Sequence, residues 1–195
     1  MLTLCIDTAY KYLVCTLIED DRILSSYCEP CLKKQSEEVF VRLEQIFKEA
    51  GRERRDIDSI CIAKGPGSYT GVRIAMSIAK VIGEVLPCDV YTISTLRLYA
   101  ANRDNTLVLM DARAKRAYAG VYNGEECVLD DCTLNLEDIS IEGLNVVGDA
   151  SLVGLEDNYP DVGEAFLLTK NSWDKVENIA YLTPEYLKES EKYYL

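Results

Sequence analysis

The stretch Lys64-Gly65-Pro66-Gly67-Ser68-Tyr69-Thr70-Gly71-Val72-Arg73 holds the residue types that could act on a ligand. Its three glycines let the backbone turn tightly and come close to whatever it faces. A helix starting at its end would offer free N–H groups and the positive end of its dipole, a natural site for an anion. The chemistry on offer is therefore phosphate binding. The stretch is not a Walker loop, because no Lys-Ser or Lys-Thr follows the last glycine, and it is not the GxGxxG dinucleotide fingerprint. A purely structural strand-to-helix turn uses the same glycines, so both readings stand at this point.

Two aspartates end apolar runs, Asp7 after Leu2–Ile6 and Asp111 after Leu107–Met110. A carboxylate ending a core strand is costly to bury without a partner, so both are expected to face a shared cleft. Cys28-Glu29-Pro30-Cys31 is a lone CxxC, but it follows a strand in a hairpin instead of opening a helix, and the chain has no histidine to complete a metal site. Glu37, Glu38 and Glu44 could ligate a hard cation, yet acids on an amphipathic helix form its solvated face. No metal site and no catalytic residue is expected.

The elements that must position these groups follow from periodicity. Leu2 to Asp7, Tyr12 to Glu19 and Arg22 to Tyr27 read as three antiparallel strands, with Asp20-Asp21 as a hairpin turn. Val39, Leu43, Ile46, Phe47 and Ala50 make a helical face over Ser36 to Ala50, with Ser36 as cap and Gly51 as stop. Asp58 to Ala63 is a fourth strand, leading through the glycine loop into a helix over Thr70 to Leu86. A strand (Asp89 to Ile93) and a helix (Ser94 to Ala101) follow. Sliding the chain by 104 positions superposes Leu4-x-Ile6-Asp7 on Val108-x-Met110-Asp111, a degenerate internal repeat too long for a solenoid unit. The expected fold is α/β with two lobes, 1–102 with 178–195 forming the first and 103–177 a smaller second. Val128 to Asn158 reads as acidic and loop-like, with short strands such as Leu144 to Val147. The tail, Ile179 to Tyr194, reads as partly helical.

The 195 residues are 48% hydrophobic, enough for a real core, and no apolar run approaches the ~18–20 residues that cross a bilayer. The opening MLTLCIDTAY reads as a strand and not as an export signal, so the expected location is cytoplasmic. The eight cysteines are then read as reduced, with Cys5, Cys15 and Cys61 packed as small hydrophobes. A net charge of −12 repels phosphate backbones, so no direct nucleic-acid binding is expected.

The sequence resembles the TsaB (YeaZ) family, paralogs of the catalytic TsaD/Kae-type subunits that make threonylcarbamoyladenosine in tRNA. The residues carrying the resemblance are GPGSYTGVRI from Gly65, Ile6-Asp7-Thr8-Ala9, Gln35-Ser36-Glu37, Ser94-Thr95-Leu96, Asp111-Ala112-Arg113 and Tyr181-Leu182-Thr183-Pro184-Glu185-Tyr186-Leu187. Gln35 stands where the family has histidine. The resemblance implies an actin-like (ASKHA, RNase H-like) fold with a reduced second lobe. It implies a non-catalytic subunit that binds TsaD, with a TsaE-like ATPase in the complex, and a homodimer when the chain is alone.

Family members pair their first two helices with those of TsaD. The helix from Thr70 is apolar all round, with Val72, Met76, Ala79 and Gly83 on one side and Ile74, Ile78, Val81 and Val85 on another, so it wants two neighbours. The contact residues expected for pairing are Val39, Leu43, Phe47, Val72, Met76, Ala79 and Gly83; the alternative is that the first helix and the tail cover that side. In an actin-like cleft, a vestigial phosphate site would consist of Asp7, Thr8, Gly65, Gly67, Ser68, Thr70 and Asp111, with Gly148-Asp149 the candidate for holding adenosine. No cofactor is expected beyond weak nucleotide binding. The competing reading is an ATP-binding or ATP-hydrolysing enzyme of the same fold with an unknown acceptor.

Overall fold

The structure is a computed structural model and describes residues 1–31 and 33–187. Its first strand, β1 (Leu2–Asp7), is buried along its whole length. A strand covered on both faces reads as a continuous apolar run, which LTLCI is. It pairs antiparallel with β2 (Tyr12–Glu19), which pairs antiparallel with β3 (Arg22–Pro30). Its other edge pairs parallel with β4 (Ser59–Ala63), and β4 with β5 (Asp89–Ile93). A two-residue strand, β10 (Asp174–Lys175), closes the sheet in the order β10-β5-β4-β1-β2-β3.

Helix α1 (Gln35–Ala50) lies on β2 and β3, and α2 (Tyr69–Val85) on β4, β1 and β5. Gly51 ends α1 in the left-handed conformation at φ 62°, as the sequence predicts. Ser36 is not the cap: the helix already includes Gln35, and no side chain caps it at Lys34. Ser68 does cap α2, its Oγ accepting the Gly71 N–H at 3.3 Å.

The second sheet holds β6 (Thr106–Arg113), β7 (Arg116–Asn123), β8 (Glu126–Asn135) and β9 (Asn145–Gly148), in the order β8-β7-β6-β9. This repeats the β3-β2-β1-β4 arrangement, with β6 parallel to β9 as β1 is to β4. The 104-residue shift places Tyr12–Glu19 on Arg116–Asn123, so the internal repeat is a repeated topology. Strand β8 is the main departure from expectation, since it occupies a stretch read as loop-like. Its first five residues are exposed, its acids break any apolar alternation, and its pairing with β7 slips register in two places.

Between the sheets lies α3 (Thr95–Ala100), buried at every residue and packed on β6 and β7. The chain then returns: α4 (Val162–Leu168) packs on β2, β3 and α3, and β10 pairs with β5, so the stretch 162–175 lies with the first sheet and not in a second lobe running to 177 as the sequence suggests. The main apolar core accordingly includes Val108, Met110, Tyr122 and Val147 of the second sheet beside the first sheet's residues. In the tail, Ile179–Tyr181 forms a single 3₁₀ turn and 182–187 has no regular secondary structure; the rest of the expected tail helix lies outside the described residues. Among the described residues, no helix is long and apolar enough to cross a membrane.

Candidate functional site

The glycine loop sits where β4 gives way to α2, at the end of the sheet where β1 also finishes. What its glycines approach is the protein's own backbone. A Cβ on Gly71 would press into the carbonyl oxygen of Thr8, and one on Gly67 into that of Ala9. Gly65, at φ 107°, would bring a Cβ to 2.6 Å from the carbonyl oxygen of Glu185 in the tail. The same contacts carry hydrogen bonds: Ser68 N–H donates to Ala9 O at 2.7 Å, Thr95 N–H to Gly65 O at 2.8 Å, and Glu185 N–H to Lys64 O at 2.8 Å. The Gly65–Pro66 peptide is cis. Thr8 is consumed likewise, its Oγ1 donating to Gly71 O at 2.6 Å and accepting from Ala75 N–H at 3.2 Å. Thr70 is exposed at the start of α2.

Asp7 is fully buried and has both oxygens occupied. Oδ1 accepts the Ala9 N–H at 2.7 Å and Oδ2 the Tyr99 hydroxyl at 3.2 Å. Burial pushes its carboxyl up to about 6, the two hydrogen bonds offsetting only part of the desolvation. Asp111 is placed differently. It is exposed, its Oδ1 turns back onto the Arg113 N–H at 2.7 Å, and its own N–H points to the Tyr10 hydroxyl and to Asp149. The structure thus joins Thr8 and Ala9 to the glycine loop, holds Asp7 in the core against Tyr99, and places Asp111 in a separate cluster.

That cluster centres on Asp149, which follows β9. Its buried carboxylate accepts from the hydroxyls of Tyr10 and Tyr159, from Lys11 Nζ at 2.5 Å and from the Asp111 N–H at 2.7 Å. Burial raises its proton affinity, but these donors outweigh burial and hold it below the usual carboxylate range. Gly148, expected as part of an adenosine grip, sits at φ 92° with β6 close against it, where a Cβ would meet Leu109 O. Lys11, Tyr10 and Tyr159 have no place in the sequence reading. The signal for them was the Asp149 position itself, an acid just past a core strand, as Asp7 is at the end of one.

On the outer face, the seven expected pairing residues turn out to serve the chain's own core. Val39, Leu43, Phe47, Val72, Met76 and Ala79 are buried, and a Cβ on Gly83 would strike Ile179 and Val90. Their spacing is the core stripe of each helix. Besides Tyr69 at the head of α2, the large apolar side chains left exposed on α1 and α2 are Phe40 at 65%, Val41 at 56%, Val81 at 63% and Val85 at 73%. Between the helices runs an apolar groove of about 520 Å³ with Phe40, Val41, Ile78 and Val81 on its walls and Leu43 and Phe47 reaching into it. Gln35 is buried at the head of α1, its Nε2 donating to Tyr10 O at 3.2 Å.

The remaining candidates are quieter. Cys28 is half-buried near the N-terminus of α4, and burial raises its thiol, which disfavours the reactive thiolate. Among the described residues, no three His, Cys, Asp or Glu side chains are grouped to hold a metal ion.

A two-lobed α/β protein whose sheets share the order 3-2-1-4 about a buried helix, with a glycine loop opening the second long helix, is of the actin-like, RNase H-like class. The family model described as TsaD, tRNA N6-adenosine threonylcarbamoyltransferase, matches residues 29–147. The chain belongs to this family, on its TsaB (YeaZ) branch. The tRNA threonylcarbamoyladenosine biosynthesis protein TsaB of Bacillus subtilis is 31% identical over 134 residues, 67% of this chain and 58% of that protein. The Escherichia coli protein of the same name is 29% identical over 133 residues, 65% and 57% respectively. The match therefore spans less than two thirds of the length of these two relatives. YeaZ from Pseudomonas aeruginosa has the same fold, with a TM-score of 0.79 at 22% identity over 95% of this chain and 99% of that one.

Proposed function

We propose that the chain is a non-catalytic subunit that binds a TsaD-like partner and activates it in threonylcarbamoyl transfer to the anticodon-adjacent adenosine of tRNA, with a TsaE-like ATPase joining the complex. The observation that carries this reading is the exposed apolar strip of Phe40, Val41, Val81 and Val85 beside the α1–α2 groove. Apolar side chains exposed together on two adjacent helices are what a helical partner covers. Scaffolding is also favoured by what the cleft residues already do. Asp7, Thr8 and the loop glycines are engaged by their own chain, which leaves little of the phosphate grip free. With a charge of −12, this chain relies on its partner for contact with RNA phosphates.

The test is to mix the chain with the TsaD-like protein of the same organism and measure mass by light scattering after size exclusion. A one-to-one complex is expected, with the partner's transfer activity rising on mixing. Two separate peaks at micromolar concentrations, with and without ATP and the TsaE-like protein, would overturn the reading.

A further inference from the structure

The two sheets meet through two carboxylates that each take donors from both sides. Asp149 belongs with the second sheet, as do two of its donors, the Tyr159 hydroxyl and the Asp111 N–H. The other two, Tyr10 and Lys11, come from the turn between β1 and β2. Lys11 Nζ also meets the Tyr159 hydroxyl at 2.7 Å and lies 3.7 Å from Asp157. At the second point, Asp131 of β8 accepts the hydroxyls of Tyr122 on its own sheet and of Ser94 at the head of α3. Beside it, the buried Arg97 of α3 reaches the carbonyl oxygens of Glu125 and Glu126 and stacks over Tyr122, its guanidinium carbon 5.0 Å from the ring centre.

We propose that Asp149 and Asp131 are latches that hold the two lobes at one fixed angle, so that the cleft between them does not open and close around a ligand. Swinging the lobes apart would pull Asp149 from Tyr10 and Lys11, and Asp131 from Ser94, which follows directly on β5. A buried charge or polar group that loses its partner without gaining water is costly, and hinge motions use contacts that break cheaply. Two points of attachment matter more than one, because a single bridge leaves rotation about itself.

The test places spin labels on p-acetylphenylalanine introduced at Glu37 and Glu142, both exposed and one in each lobe, which leaves the native cysteines alone. The inter-label distance is read by pulsed electron resonance, with labelled chain diluted in unlabelled chain. The intact protein should give one narrow distribution. Asp149→Asn combined with Asp131→Asn should broaden it about twofold or split it, with circular dichroism unchanged, as two states become populated. Should that double variant fail to fold, Tyr10→Phe with Lys11→Met serves instead, since Asp149 keeps Tyr159 and the Asp111 N–H. A broad distribution in the intact protein, or a folded variant as narrow as the intact one, would overturn the proposal.

Discussion

Asp7 has the position of a cleft carboxylate and the surroundings of a core residue. Held at about 6 against an ordinary 3.8, it keeps a proton in the folded chain that the unfolded chain has already lost between these values. Stability contributed at this site therefore falls as pH rises through that window, and the cost is complete above it. Asp7→Asn cannot titrate and still accepts the Ala9 N–H. Relative to this variant, the protein should lose roughly 2–3 kcal/mol of unfolding free energy between pH 4 and pH 7. Urea unfolding of both proteins across that range checks it, and parallel profiles would show that Asp7 is ionised in the fold. The sequence marked Asp7 and the glycine loop as special and left open whether a ligand or the chain explained them. The answer lay in long-range contacts, Gly71 with Thr8 and Gly65 with Glu185, which no local spacing reveals.

At the scale of elements, the two long helices were legible because their 3.6-residue period is strong, and their ends moved by at most a few residues. Which side of each faced outward was not, because α2 is apolar all round and its two stripes differ little in composition. The structure resolves it by covering Met76 and Ala79 with the sheet and leaving Val81 and Val85 in water. This sets a contrast between substitutions. Val81→Glu or Phe40→Asp should weaken partner binding at least about tenfold while leaving the thermal midpoint nearly unchanged. Ala79→Glu or Met76→Asp instead buries a charge and should unfold the chain. Titration calorimetry with the partner, beside circular dichroism melts, separates the two classes; binding that survives Val81→Glu and Phe40→Asp together would exclude this face. Strand β8 and helix α4 escaped the sequence for a simpler reason. One is held by its neighbour strand with half its length exposed, and the other has seven residues, too few to display a period.

For the molecule as a whole, the repeat was legible in Asp7 and Asp111, whereas the sharing of one core between the repeats was not. Val108, Met110, Tyr122 and Val147 pack into the first lobe's cluster, and α3 is buried between the sheets. Such a core should come apart as a unit. Urea unfolding followed by Trp173 fluorescence in the first lobe and by far-ultraviolet circular dichroism should give coincident transitions. An early transition absent from the fluorescence would mean that the smaller cluster around Leu107, Leu109 and Val146 melts by itself. The return of the chain to the first sheet has another side, which concerns the order in which the protein is made. Strands β1–β5 precede the second sheet, yet α4, β10 and the Glu185 contact with the glycine loop come after it. On the ribosome, the second sheet has all its strands while the first still lacks its edge. Of the two sheets, the one begun first is completed last, and Lys64 and Gly65 of the signature loop make their final contact only once Glu185 has emerged.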